Sequence, residues 1–158
     1  MADDLDRFII MQEKNYKKAL KEIKEGHKRT CWIWYILPII KGLRNSKNSI
    51  YYGIKDFEEA TNYLKHEMLR LHLIEMSEAL LDLGDVNISD VMGPIDDIKL
   101  QQCMTLFNKV EKEMKIDCNN VFEKVLTKFY EGKEDEKTLE ILENQKKEKK
   151  LNNINIKK

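Results

Sequence analysis

Eight side chains carry types and spacings that could hold a ligand: Gln12, Lys28, Arg29, Trp32, Trp34, Asp97, Lys99 and Thr105. The densest group is Lys28-Arg29-Thr30-Cys31-Trp32-Ile33-Trp34-Tyr35-Ile36-Leu37-Pro38, which contains both tryptophans and one of the two prolines. Cationic groups beside indole rings suit an anionic, planar ligand, because the cations meet its phosphate while a ring stacks on its base or sugar. If the run is helical, Trp32 and Trp34 lie about 200° apart around the axis, so one ring can be buried while the other lines a groove. The second group is Asp96-Asp97-Ile98-Lys99, just after Gly93-Pro94. There Asp97 could accept from ligand hydroxyls and Lys99 could meet negative charge, with Thr105 two turns further on. Gln12 interrupts an apolar stripe, where it either bonds to a neighbouring helix or reaches a pocket. Each group also has a purely structural reading: a core segment with a solvated basic start, and carboxylates paired with a helix dipole.

Other chemistries lack their residues. The six glycines form no phosphate-cradling loop, and no two of His27, His66 and His72 stand four apart as a helical metal pair would. Cys31, Cys103 and Cys118 are scattered without a Cys-x-x-Cys pair, which argues against a disulfide framework and a structural zinc site. No motif joins serine and histidine into a nucleophilic site, so the catalytic residues stay unassigned and enzymatic activity stays open. No metal and no cofactor is expected. The acidic start Met-Ala-Asp-Asp-Leu does not match a signal peptide, and the apolar run over residues 31–40 is far shorter than the roughly 20 residues that span a bilayer. A cytoplasmic protein without a membrane partner is the expectation.

With 28 basic and 28 acidic residues the formal charge is zero, so no global field attracts nucleic acid. The charge is unevenly placed: residues 144–158 hold six lysines against one glutamate, leaving an acidic remainder. Nucleic acid contacted weakly through this tail is the least favoured partner.

The elements that must position these groups are helical. Leu5, Phe8, Ile9, Tyr16, Ala19, Leu20 and Ile23 recur with amphipathic spacing over residues 3–25, with Asp3 and Asp4 at the start and Gly26 at the end. Residues 41–49 read as a loop. Asp56-Phe57-Glu58-Glu59 has capping-box spacing, so a helix starts at Phe57. Leu69, Leu73, Met76, Leu80 and Leu83 form the next stripe after a break near His66, closed by Gly84. Asn87 opens a short helix. Pro94 suits the first position of another, which runs to about Lys115 and turns Cys103, Leu106, Phe107, Val110 and Met114 inward. Asn119 or Asn120 caps a helix with Phe122, Val125, Leu126 and Phe129, and a last one covers about residues 135–143. The expected fold is all-α: a single compact bundle of about six to eight helices around a buried Trp-rich helix. The all-helical domain spans residues 1–143, and 144–158 is a Lys/Asn-rich tail too polar to be buried, expected to fray or be disordered.

Taken together, Leu5-Asp6-Arg7-Phe8, Gln12, Gly26-x-Lys28, Trp32-x-Trp34-x-x-x-Pro38, Gly42-Leu43, Glu59-Ala60-x-x-Tyr63-Leu64-x-His66, Gly93, Asp96-Asp97-x-Lys99-Leu100 and Thr105-Leu106-Phe107 resemble a small all-helical family of unknown function whose members often bear the name calpastatin. The resemblance covers about residues 3–142 and implies a compact helical bundle with the tryptophan segment as a helix. It implies no established activity. The chain departs from that pattern at Cys31, Ile39, Gln102 and Cys103, where the family carries histidine, glutamine and serines. The first functional reading is a domain binding a small, nucleotide-like ligand in a Trp-lined pocket. The alternative, which the calpastatin name implies, is a protein-interaction module or calpain inhibitor.

Overall fold

The computed structural model describes residues 4–157. Asp3, expected at the first helix start, and Lys158, the last residue of the tail, lie outside the described residues. Helix α1 (Asp6–Lys24) buries Phe8, Gln12, Tyr16, Ala19 and Ile23 along one face. Gly26 ends it at φ +79°, where its N–H reaches Ile23 O at 2.8 Å and the His27 N–H reaches Glu22 O at 3.0 Å. Four further helices follow, three of them opened by a side chain: α2 (Ile33–Ile36), α3 (Lys47–Tyr52) capped by Ser46, α4 (Phe57–Lys65) capped by Asp56, and α5 (Glu67–Leu81) capped by His66. Then come α6 (Ile88–Met92), α7 (Asp96–Met114), α8 (Val121–Tyr130) and α9 (Glu136–Lys157). The Asp135 carboxylate opens α9 by accepting from the Thr138 N–H at 2.9 Å and its hydroxyl at 2.7 Å.

The described residues form nine helices and no strand, one helix more than the upper expectation. The additional one is α3, which overlaps the expected loop; it is a turn and a half long, and Asn48 and Ser49 are weak helix formers. A larger correction concerns the centre. The tryptophan segment is not a long core helix: α2 is a single turn, Trp32 sits before it at φ −124° and ψ 0°, and Leu37 leaves helical geometry ahead of Pro38. The middle of the core is α7, where Leu100, Cys103, Met104, Leu106, Phe107 and Val110 are fully buried. Helices α4, α6, α8 and α9 pack on it, while α1 packs on α2 and α5. Helix α7 begins at Asp96, two residues past Pro94.

Two tertiary ties hold the segment between α2 and α4. Ile40 and Ile54 form an isolated parallel bridge, with Ile54 N–H on Ile39 O at 2.9 Å and Lys41 N–H on Ile54 O at 2.8 Å. Beside it, a Cβ on Gly53 would stand 2.7 Å from Ser49 O and 3.0 Å from the Lys41 Cβ. Backbone cannot yield as a side chain can. Gly53→Ala is therefore expected to lower stability by about 1–3 kcal/mol, the range for overpacking, measured by urea denaturation; a neutral result would show that the bridge relaxes freely.

Helix α9 continues to Lys157, past the residue 143 boundary drawn from composition. Among the described residues, no helix is long and apolar enough to cross a membrane.

Candidate functional site

The site is built on a carboxylate of α1. Glu22 is buried, and its Oε1 accepts from the Arg29 N–H at 2.6 Å, the Thr30 N–H at 3.0 Å and the Trp32 indole N–H at 3.0 Å. Its Oε2 accepts from the Thr30 hydroxyl at 2.6 Å. Burial by itself would raise the pKa of this acid, but the donors from Thr30, Arg29 and Trp32 outweigh it and hold the group down at about 2. The chain after α1 thus wraps around a fixed negative charge, which sets the plane of Trp32.

Lys28 lies over the Trp32 ring, 5.0 Å from its centre, and donates to Thr30 O at 2.7 Å. Its ammonium pairs with Asp96 Oδ2 at 2.8 Å, from the first turn of α7. The other oxygen of Asp96 faces Lys99 at 3.4 Å, and Lys99 lies 4.9 Å over the half-buried Trp34 ring. Side-chain exposures are 8% for Lys28, 10% for Lys99 and 19% for Asp96. Two nearly dry ammonium groups share the one carboxylate of Asp96, so this trio carries a formal charge of +1, while the next carboxylate along α7, Asp97, turns to Ser89 instead. Each cation rests on an indole face, which favours it electrostatically.

A shallow cleft of about 10 Å³ opens beside Lys99 and Trp34, walled by Ile33, Leu37, Asn48, Ser49 and Tyr52 among others. On the far side of the α7 start, the Ser89 hydroxyl donates to Asp97 Oδ2 at 2.5 Å and the Tyr130 hydroxyl donates to the Asp97 backbone oxygen. Burial and the Asp97 charge push the Tyr130 phenol above its ordinary pKa, so it stays a donor. Seven buried polar atoms have no hydrogen-bond partner among the described residues, and three of them are on Trp34 and the first half of α7: Trp34 Nε1, Asp97 Oδ1 and Gln102 Oε1. Such orphans are rare in folded proteins, because each loses its water without replacement.

The eight sequence candidates separate into two sets. Lys28, Trp32, Trp34, Asp97 and Lys99 gather where α2, α6 and the α7 start meet. Gln12 does not: its Nε2 donates to Tyr35 O at 2.7 Å and Tyr63 OH at 2.9 Å, which leaves Oε1 to accept from His72 Nδ1 at 2.8 Å. That buried network joins α1, α4 and α5. Thr105 accepts from the Asp135 N–H at 2.9 Å and anchors the turn into α9. Arg29 is exposed and pairs with Glu25 at 2.7 Å. The candidate set lacked Asp96, Glu22, Ser89 and Tyr130. Of these only Asp96 had a local signal, its three-residue spacing from Lys99.

Among the described residues no group of histidine, cysteine or carboxylate side chains could hold a metal ion. No curated protein matches the sequence. A solved structure described as the conserved hypothetical protein Rv1873 from Mycobacterium tuberculosis is 35% identical, with a TM-score of 0.82 over 88% of this chain and 96% of that one. The family model described as "Protein of unknown function (DUF1810)" matches residues 2–142, a span that contains every residue of the site. Neither description is that of a calpastatin, and by this match the chain belongs to the DUF1810 family.

Proposed function

We propose that the protein binds a small anionic ligand of the nucleotide or sugar-phosphate class, with its phosphate against Lys99 and its planar or sugar part over Trp34. The carrying observation is the pair of buried ammonium groups with one carboxylate between them. An anion arriving beside Lys99 completes a charge balance that Asp96 leaves unfinished, in a setting where charges interact more strongly than in water. The unpaired Nε1 of Trp34, a residue that lines the cleft, adds a donor for ligand hydroxyls.

Cleft size limits the ligand. Pockets that bury most of a drug-sized molecule measure roughly 300–1,000 Å³; this one is about 10 Å³, room for about one water. The ligand would therefore lie across the mouth of the cleft, with its phosphate at Lys99 and its ring or sugar on the exposed part of Trp34. Catalytic roles are not assigned to these residues.

The test is a thermal-shift and tryptophan-fluorescence screen with nucleotides, NAD, ADP-ribose and sugar phosphates. A ligand at 100 times its Kd stabilises the native state by about 2.7 kcal/mol, which for a chain of this size is a rise in Tm of roughly 5–11 °C. Lys99→Met and Trp34→Ala are each expected to weaken binding at least tenfold while circular dichroism shows an intact fold. Lys28→Met should weaken it less, because Lys28 reaches the cleft only through Asp96. A panel with no saturable shift, or binding indifferent to Lys99, would rule the reading out.

A further inference from the structure

We propose that the second half of α9 is a docking arm that seats, in a second copy of this chain, in the groove beside that copy's own α9, so that two chains exchange arms reciprocally. Gln145 ties α9 to the body, its Nε2 donating to Lys55 O at 3.1 Å. Past it the helix runs on to Lys157, about 18 Å at 1.5 Å per residue. Every described side chain from 146 to 155 is exposed, including Leu151 and Ile154, which stand three apart and share a face. A helical stretch this short has little stability from propensity alone; packing on a partner surface is what ordinarily holds it.

The groove fits such a helix in size and in charge. It lies between the arm, α4 and the end of α7, and measures about 1330 Å³. A helix 18 Å long and 10–12 Å across occupies roughly 1,400–2,000 Å³, so the groove takes most of such a helix and leaves one face in water. Phe57, Met114 and Leu139 give the floor an apolar strip, on which Leu151 and Ile154 of an incoming arm would rest. Around that strip stand seven carboxylates against five lysines, with the arm's own Lys146 and Lys149 already among the five. The arm brings Lys146, Lys147, Lys149 and Lys150 against Glu148. Positive arm and acidic groove are complementary, and a two-fold axis lets each arm fill the other's groove with one self-complementary contact. The arm lies wholly beyond residue 142, where the family match ends, so the exchange would be a property of this chain rather than of the family.

Sedimentation of the full chain tests this. The expected mass is twice the 18.8 kDa of one chain at micromolar concentration, returning toward one chain as salt screens the exposed charges. Reversing the arm (Lys146→Glu, Lys147→Glu, Lys149→Glu, Lys150→Glu) or the groove wall (Glu136→Lys, Glu140→Lys, Glu143→Lys) should each give monomers, and an equimolar mixture should restore the dimer, since both contacts again pair opposite charges. Leu151→Ser touches no core residue and should weaken association at least tenfold with unchanged circular dichroism. A single-chain mass at every concentration, a dimer indifferent to both reversals, or an arm that binds anionic vesicles or polynucleotide while the chain stays monomeric would each overturn the proposal.

Discussion

Arg7→Met is expected to lower folding stability by about 3–5 kcal/mol, the range for removing one partner of a buried ion pair. For a protein of this size that corresponds to a Tm roughly 6–20 °C lower. Arg7 and Glu59 are exposed by only 6% and 3%, and their closest contact is 2.7 Å. The guanidinium also donates to Tyr51 O and Gly53 O, each at 3.0 Å, and to Asp4 O, while Glu59 Oε1 accepts from the Lys55 N–H at 2.9 Å. Removing the cation leaves a carboxylate in a dry interface with a single backbone donor. It also releases the backbone of α3 from α1, and with it the wall of the cleft formed by Tyr52 and Gly53. Because most of the loss comes from the stranded charge, Arg7→Met combined with Glu59→Leu should cost less than the sum of the two single changes. Urea denaturation of the four proteins gives the coupling directly. Strict additivity would mean that the two side chains act independently, contrary to this account.

Glu22→Gln is expected to cost about 3 kcal/mol at neutral pH, from a carboxyl held at about 2 against its ordinary 4.5. The sign follows from the depressed value. Above pH 4.5 the carboxylate is charged in both folded and unfolded chains and its four hydrogen bonds stabilise the fold in full. As pH falls from 4.5 toward 2 the unfolded chain takes up the proton first, and the contribution disappears. The variant, with one oxygen and an amide facing N–H donors, never has that contribution. Denaturation curves from pH 7 to pH 2 should therefore show a gap between wild type and variant that closes across this window. Residues 29–32 should also loosen in the variant, with a change in Trp32 emission, since its indole N–H loses an anionic acceptor. A gap of constant size down to pH 2 would place the stabilisation elsewhere.

The proposed anion binding beside Lys99 would depend on the same carboxylate. Glu22 sets Trp32, Trp32 carries Lys28, and Lys28 holds Asp96 in place beside Lys99. The pH window in which Glu22 protonates is therefore also the window in which the proposed ligand should lose affinity, if its own charge persists there.

Local chemistry was enough to determine most helices. The stripe of Phe8, Tyr16, Ala19 and Ile23, the Asp56 cap, the break at His66, the glycine stop at Gly26 and the inward face of α7 as far as Val110 all follow from spacing along one element; Met114, expected inward as well, is 43% exposed, because it lies in the last turn of α7 beside an open groove. Each of those signals lies within one or two turns of the residue it governs, so no knowledge of the rest of the chain is needed. The tryptophan segment was ambiguous for the same reason: a short apolar run carries no period, and only its neighbours decide that it forms one turn followed by a proline-ended corner.

What the tertiary structure alone decided is the charge state of the site. Read along the chain, Lys28 is a cation on a solvated helix end, Asp96 is a partner for a helix dipole, and Glu22 is one more acidic residue on an amphipathic helix. Packing the start of α7 against the corner after α1 removes water from all three at once, and each then needs an opposite charge or a donor supplied by another part of the sequence. The same holds for the α8 start. There it is not Asn119 or Asn120 but buried Glu111 of α7 that takes the Cys118 and Asn120 N–H groups, at 2.7 and 3.1 Å. Periodicity specifies which face of a helix is apolar. Which polar groups become dry together depends on how those faces meet, and that is where the proposed ligand chemistry of this protein resides.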